Sequence, residues 1–179
     1  MEKRVKILGI CGSLREGSAH RAILEYVAST VPDVSFSIFE GIADIPNFNP
    51  DLDHPDSIPY EAVEAFRSAL KEADAVLICT PEYAYGIPGA LKNALDWTVS
   101  SGSFVDKPVG LITASGLGEH SHASLLLVLQ ALTAKVDEQA TLLIPYFKSK
   151  MNAENEITDS GLQEDLKRLI EVLLNTVAS

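Results

Sequence analysis

The sequence predicts an α/β fold: a doubly wound, five-stranded parallel sheet in the order 2-1-3-4-5 with helices on both faces. Three observations lead there. Short apolar runs alternate with stretches of helical period along the chain, which places a parallel sheet between two helix layers. Right-handed crossovers then leave few ways to order five strands. The two most unusual stretches, 12–17 and 81–88, follow the first and third apolar runs, where that order reverses its winding.

Residues 5–11 (VKILGIC) form a short apolar run before a Gly-Ser turn and read as a buried strand. Residues 19–30 read as a helix, with Ala22, Ile23, Tyr26 and Val27 on one face. Residues 34–39 alternate and give strand two. Residues 40–57 are rich in Pro, Asn, Asp and Gly and form a long surface loop, a length often tied to function. Helix two is expected over 58–73, with Ala62, Phe66, Ala69, Leu70 and Ala73 inward, and strand three over 75–80 (AVLICT). A compact loop spans 81–89, and helix three 89–98. Strand four covers 108–114 (PVGLITA) and ends in the Ser-Gly-Leu-Gly loop 115–118. Helix four is expected over 121–132, strand five over 139–144, and a last helix over 159–177, where Leu162, Leu166, Leu169, Ile170, Leu173 and Val177 recur at helical steps. No repeat or linker interrupts residues 1–179, so one domain is expected.

Hydrophobic residues make up 46% of the chain and charged residues 22%, an ordinary globular balance. The formal net charge of −11 argues against a nucleic-acid-binding face and against attachment to anionic lipid. It permits an anionic small ligand, because one local pocket can be positive on an acidic protein. The apolar run at the start is too short for a signal-peptide core, and no run reaches membrane-spanning length. Two cysteines give no disulfide framework. The expectation is a cytoplasmic protein.

The stretch GSLREGSAH, residues 12–20, joins the first strand to the first helix. Ser18 is an N-cap candidate, and behind it lie free backbone N–H groups at the positive end of the helix dipole. Ser13 and Ser18 offer hydroxyls, Arg15 a charge-assisted and bidentate contact, and His20 a further donor. A terminal phosphate matches this inventory; an exposed loop with an ordinary serine cap is the plainer alternative. A Walker A loop is excluded because the chain has no Gly-Lys pair, and the steps between Gly9, Gly12 and Gly17 do not make a dinucleotide fingerprint. The second loop opens the stretch TPEYAYGIPGALKNALDW, residues 80–97. Tyr83 and Tyr85 can flank a flat ring and exclude water, while Pro81 and Pro88 restrict the backbone so that loop N–H groups are pre-aimed. Taken singly, such tyrosines also serve simply to cover a sheet edge.

Together GSLREGSAHR and PEYAYGIPGALKNALDW resemble the NAD(P)H-dependent FMN reductase family, a flavodoxin-like group that includes quinone, azo-dye and chromate reductases. The resemblance runs through the whole chain in element order. It implies an FMN flavoprotein with Ser13, Arg15, Ser18 and His20 at the phosphate. It implies Pro81, Glu82, Tyr83, Ala84, Tyr85 and Gly86 along the isoalloxazine ring, and the loop at Ser115 and Gly116 on its other edge. The family commonly carries Asn at the positions of His20 and Ala84, so a contact at Ala84 is left to the backbone. NAD(P)H is then the co-substrate and a flavin, quinone or similar small molecule the electron acceptor. No catalytic acid–base side chain is required.

The pair His120 and His122 has no evident third partner, so no metal site is expected. Cys11 and Cys79 end neighbouring strands and read as small buried side chains. Helix four is apolar nearly all round, which suggests that its outer face, with Leu91 and Leu95 of helix three, is covered by a second subunit. The resembling family likewise implies a homodimer or homotetramer. Two other classes stay open: a flavodoxin-type electron carrier that oxidises no nicotinamide itself, and a nucleotide-binding interaction module.

Overall fold

The computed structural model describes residues 4–54 and 56–179. In chain order the elements are β1 (Lys6–Cys11), α1 (Ala19–Thr30), β2 (Ser35–Ile38), α2 (Glu61–Glu72), β3 (Ala75–Thr80), α3 (Gly89–Asp96), β4 (Val109–Ser115), α4 (Glu119–Ala131), β5 (Thr141–Pro145) and α5 (Ser160–Ala178). The five strands pair in the order β2-β1-β3-β4-β5, and every pair is parallel, as the sequence predicts.

The reason lies in the strand sequences. All six residues of β3 are buried, so both of its faces must be covered. Its alternate side chains serve two cores. Val76 and Ile78 face α2, α3 and α4 in a cluster with Phe66, Leu70, Leu91, Leu95 and Leu125. Leu77 and Cys79 face α1 and α5 in a cluster with Ile23, Val27, Leu166 and Leu173. Register is held by this two-sided burial, since a one-residue slip would exchange the two sets.

Several boundaries move from their expected places for local reasons. Helix two begins at Glu61 rather than 58, because Pro59 holds the residue before it extended and Ile58 points into solvent. Helix four begins at Glu119 rather than 121: Gly118 takes φ 91°, and the carboxylate of Glu82 accepts the Ser121 N–H at 2.8 Å. Strand five begins at Thr141, after a 3-10 turn over Glu138–Ala140 in which Asp137 accepts the Gln139 N–H. The expectation for Leu91 and Leu95 is corrected. Both are fully buried within this chain against β3 and α2, and only the outer side of α4, with Leu127 at 67% exposure, is left uncovered.

Helix α3 explains much of the stretch 80–97. Asn93 and Trp97 lie one turn apart on one face. The Asn93 side chain accepts from the Phe48 N–H at 2.7 Å and donates to the carbonyl of Pro46 at 2.9 Å. The Trp97 indole N–H donates to the same Pro46 carbonyl at 2.8 Å. The long 40–57 loop is thereby tied down at its middle. Its far end is held by Arg67 of α2, which donates to Asp53 at 2.6 Å, to Ser100 and to the Trp97 carbonyl. Residue 55 of this loop lies outside the described residues.

After β3, residues 83–86 form a two-residue hairpin turn. Tyr83 and Gly86 exchange both backbone hydrogen bonds, at 3.1 and 3.0 Å, and the central residues Ala84 and Tyr85 carry φ of 48° and 59°. Two successive positive φ values define the turn type that usually carries Asn and Gly. Ala84 therefore sits in a conformation costing an alanine about 1 kcal/mol.

Two outcomes follow for stability. Asn93→Ala leaves the Phe48 N–H without its acceptor, while the Pro46 carbonyl keeps the Trp97 indole as donor, and should lower the unfolding free energy by about 1–3 kcal/mol, with faster limited proteolysis inside residues 40–57. Ala84→Gly and Ala84→Asn should raise it, by up to about 1 kcal/mol, because both residues accept the left-handed region. Urea unfolding midpoints measure both.

Candidate functional site

The winding of the sheet reverses between β1 and β3, and a cleft of about 650 Å³ opens at the carboxyl ends of those strands and of β4. This is the position where doubly wound sheets bind ligands, and the size suits a small molecule. Its making starts at Gly12. A Cβ there would stand 2.2 Å from the Thr80 hydroxyl, so only glycine lets the chain turn over the end of β3. The Gly12 N–H donates to the Cys79 carbonyl at 2.8 Å and fixes that turn. The chain then enters α1 through Ser18, whose hydroxyl accepts the His20 N–H at 3.2 Å. The N-terminus of α1, with its unpaired N–H groups, is thus aimed into the cleft.

Nine of the residues singled out from the sequence line this cleft: Ser13, Arg15, Ser18, His20, Pro81, Glu82, Tyr83, Ser115 and Gly116. Ala84, Tyr85 and Gly86 do not. They form the projecting hairpin turn, where the Tyr85 ring meets His120 edge-on at 5.0 Å between centroids. Tyr83 and Tyr85 are both exposed at the rim.

Three lining residues have partners that the sequence did not reveal. The Glu82 carboxylate accepts from the N–H of Ser121, so its charge lies on the positive end of α4 and joins the loop after β3 to that helix. His20 is buried, with Nε2 at 2.7 Å from the Ala114 carbonyl and Nδ1 at 3.2 Å from the Ser18 hydroxyl. A carbonyl only accepts, so Nε2 carries the ring proton, and the donor expected at the phosphate end is committed to β4 instead. Burial holds the His20 pKa below its ordinary value, against the opposing effect of the Ala114 hydrogen bond. Ser13 accepts from the Arg15 N–H at 3.4 Å, which leaves the Arg15 side chain exposed at the cleft.

Sequence reasoning missed one wall altogether. Residues 146–159, between β5 and α5, cross the cleft as a strap. Phe147, Lys148, Met151, Asn152, Ala153 and Asn155 line it. A 3-10 turn over Phe147–Lys150 and an isolated bridge between Met151 and Ile157 shape the strap. Tyr146 donates its N–H to the Gly116 carbonyl at 3.1 Å, and the Asn155 side chain donates to the Gly17 carbonyl at 3.2 Å. The strap therefore ties the loop after β4 to the loop before α1. One signal was present: a long polar connection, KSKMNAENE, following the last strand at the same sheet edge as the other two loops. Lys148 adds a second cation to the lining that holds Arg15. With the Glu82 charge on α4, the cleft is set up for an anion on an otherwise acidic protein.

Among the described residues no group of three potential ligands is arranged for a metal. His122 faces Thr113 at 2.9 Å, and burial lowers its pKa. Cys11 and Cys79 are register partners on β1 and β3, both free thiols, and burial pushes both pKa values up. No helix among the described residues is long and apolar enough to cross a membrane.

Comparison with known proteins gives the same picture. A family model described as NADPH-dependent FMN reductase matches residues 5–148. A probable NADPH:quinone oxidoreductase of rice, Oryza sativa subsp. japonica, is 32% identical over 178 residues, spanning 94% of this chain and 86% of that protein. An NAD(P)H-dependent FMN reductase of Pseudomonas aeruginosa is 31% identical over 179 residues, spanning 97% of this chain and 95% of its own. Among solved structures, the flavoenzyme NAD(P)H:(acceptor) oxidoreductase FerB of Paracoccus denitrificans superposes with a TM-score of 0.83 over 97% of both chains at 23% identity, which shows the shared fold. An FMN carrier without NAD(P)H oxidation is not favoured by these relatives. The chain is an oxidoreductase that belongs to the NADPH-dependent FMN reductase family.

Proposed function

We propose that the cleft holds FMN, that NAD(P)H reduces it there, and that a quinone or similar small molecule takes the electrons. The observation that carries this reading is the meeting of two loops in one cleft. The 12–18 loop brings phosphate-binding chemistry and the 81–86 loop a proline-stiffened aromatic rim, and they meet where the sheet reverses. The residues present fit the group. Ser13, Arg15 and the α1 N-terminus suit a phosphomonoester, and Pro81, Tyr83, Ser115 and Gly116 form walls that suit a flat ring.

When bound, FMN supplies hydride acceptance from NAD(P)H and two-electron transfer to the acceptor. The protein supplies position and electrostatics. Arg15 and Lys148 attract the anionic groups of cofactor and donor. The strap and Tyr83 form two walls of the cleft and narrow it around a bound ring. Backbone N–H groups in the loop after β4 are available to negative charge at the ring edge. No side chain has to act as acid or base, although Tyr83 or Tyr85 at the rim can give a proton to a quinone.

The exposed apolar side chains Leu117, Leu127, Tyr83, Tyr85 and Tyr146 support a homodimer or homotetramer. The two free thiols support a reducing, cytoplasmic location.

Three measurements test these readings. After incubation with FMN and desalting, the protein should retain a flavin spectrum that bleaches with NADH or NADPH without oxygen and returns on adding a quinone; no retained flavin and no FMN-dependent NAD(P)H turnover sinks the assignment. Arg15→Ala should weaken FMN binding by about 1.5–3 kcal/mol, the scale of a charged hydrogen bond, and an unchanged affinity refutes its phosphate role. Light scattering at micromolar concentration should give a mass above the monomer.

A further inference from the structure

We propose that His20 is a positioning residue that couples proton uptake to phosphate binding, accepting a proton at Nδ1 so that Ser18 can turn its hydroxyl hydrogen toward the ligand. The proposal rests on the reading that FMN occupies the cleft.

Nε2 of His20 donates to the Ala114 carbonyl at 2.7 Å, so in the neutral ring Nδ1 is a bare lone pair. Its neighbour at 3.2 Å is the Ser18 hydroxyl, which must therefore donate to it. That same hydroxyl accepts the His20 backbone N–H at 3.2 Å. The single proton of Ser18 thus points into the protein, and the cleft meets an oxygen lone pair, which repels an anion. Two rearrangements make Ser18 a donor to phosphate. In one the hydroxyl rotates and leaves Nδ1 without a partner. His20 is 6% exposed and Ser18 5%, so water is poorly placed to replace it. In the other Nδ1 takes a proton from solvent and donates it to Ser18, which then accepts from two N–H groups and gives its own hydrogen to the phosphate. The second keeps every group satisfied and sets an imidazolium behind the anion.

In the free protein, burial, with the Phe147 ring 5.3 Å away, favours the neutral ring of His20, against the Ala114 hydrogen bond. A bound anion shifts the balance the other way. The other titratable or charged groups of the surroundings are Cys11 on β1, Arg15 and Glu16 before α1, Glu82 after β3 and Lys148 after β5. On neighbouring turns and strands, Arg21 is paired with Glu25 and Glu40, and His122 faces Thr113 of β4. His20→Asn leaves all of these in place, so it isolates the part played by the ring.

The sign follows from linkage. The ring is raised in pKa by the ligand, so affinity increases as pH falls through the window between the bound and free values and is flat on either side. Within that window the FMN dissociation constant should fall toward the one-proton limit of about tenfold per pH unit. The test is an NMR titration of the His20 ring, free and FMN-bound, with calorimetry in two buffers of different ionisation enthalpy. The expected result is a His20 pKa higher by about one unit or more with FMN, and greater proton uptake in the wild type than in His20→Asn or His20→Gln. Riboflavin, which lacks the phosphate, should cause no uptake. The phosphate of FMN itself titrates near about pH 6 and is coupled to the ring, so its protonation is followed by phosphorus NMR in each variant and subtracted before uptake is compared. An unchanged His20 pKa, or equal uptake in wild type and variants that bind FMN, overturns the proposal and leaves the FMN reading standing. Failure of the wild type to bind FMN overturns both. If the variants do not fold, the wild-type NMR titration decides alone.

Discussion

The close approach of β1 and β3 at their carboxyl ends governs the rest of the structure. Gly12 passes over Thr80 with no room for a side chain, and its N–H closes onto Cys79. That one constraint sets where the chain leaves the sheet. It also sets where α1 begins and where its dipole points. Because the crossovers on either side of this strand pair run to opposite faces of the sheet, no helix covers the gap, and the gap becomes the cleft. A side chain at residue 12 would push the phosphate loop away from the loop after β3 and separate the two halves of the site.

Around that cleft, polar side chains divide into those that hold backbone and those left for a ligand. Asn93, Trp97 and Arg67 hold the 40–57 loop from the α2 and α3 side. Glu82 holds the start of α4, and His20 joins α1 to β4. Asn155 joins the strap to Gly17. Buried or half-buried polar groups at these positions are satisfied within the chain, and among the described residues no buried side-chain polar atom lacks a partner. Arg15 and Lys148 remain at the cleft as exposed cations. The loops are thus rigidified by one set of residues while the charge that selects a ligand is carried by another. Such preorganisation is what a redox cofactor asks of its protein, since the cofactor brings its own chemistry.

The strained turn at Ala84 and Tyr85 fits the same division. Together with Tyr146 and Asn155, these residues place four of the six non-glycine positive-φ positions among the described residues at the rim of the cleft or in the strap. Strain concentrated beside a site is held there by the surrounding hydrogen bonds, here the Tyr83–Gly86 pair and the Tyr146–Gly116 bond.

Much of this was legible in the order of residues. The apolar period set the strand order, because a strand with both faces covered must be continuously apolar and AVLICT is. The serines and arginine of 12–18 pointed to an anion site, because they sit before a helix N-terminus whose free N–H groups favour one. Roles that depend on contacts between distant residues were not legible. Glu82 lines the cleft, but that its carboxylate is taken by the N-terminus of α4, 39 positions on, was not readable. His20 looks like a donor to the ligand until Ala114, 94 positions on, claims its proton. Leu91 and Leu95 look free for a partner until α2 and β3 enclose them. The strap left only a weak signal, because polar residues without a period say only that they lie in a loop, not that the loop folds across the cleft. Sequence alone determined the fold and the kind of ligand, since both follow from local pattern and residue chemistry. Tertiary structure decided which side chains face that ligand, since a hydrogen bond is allotted only when its partner is brought within reach.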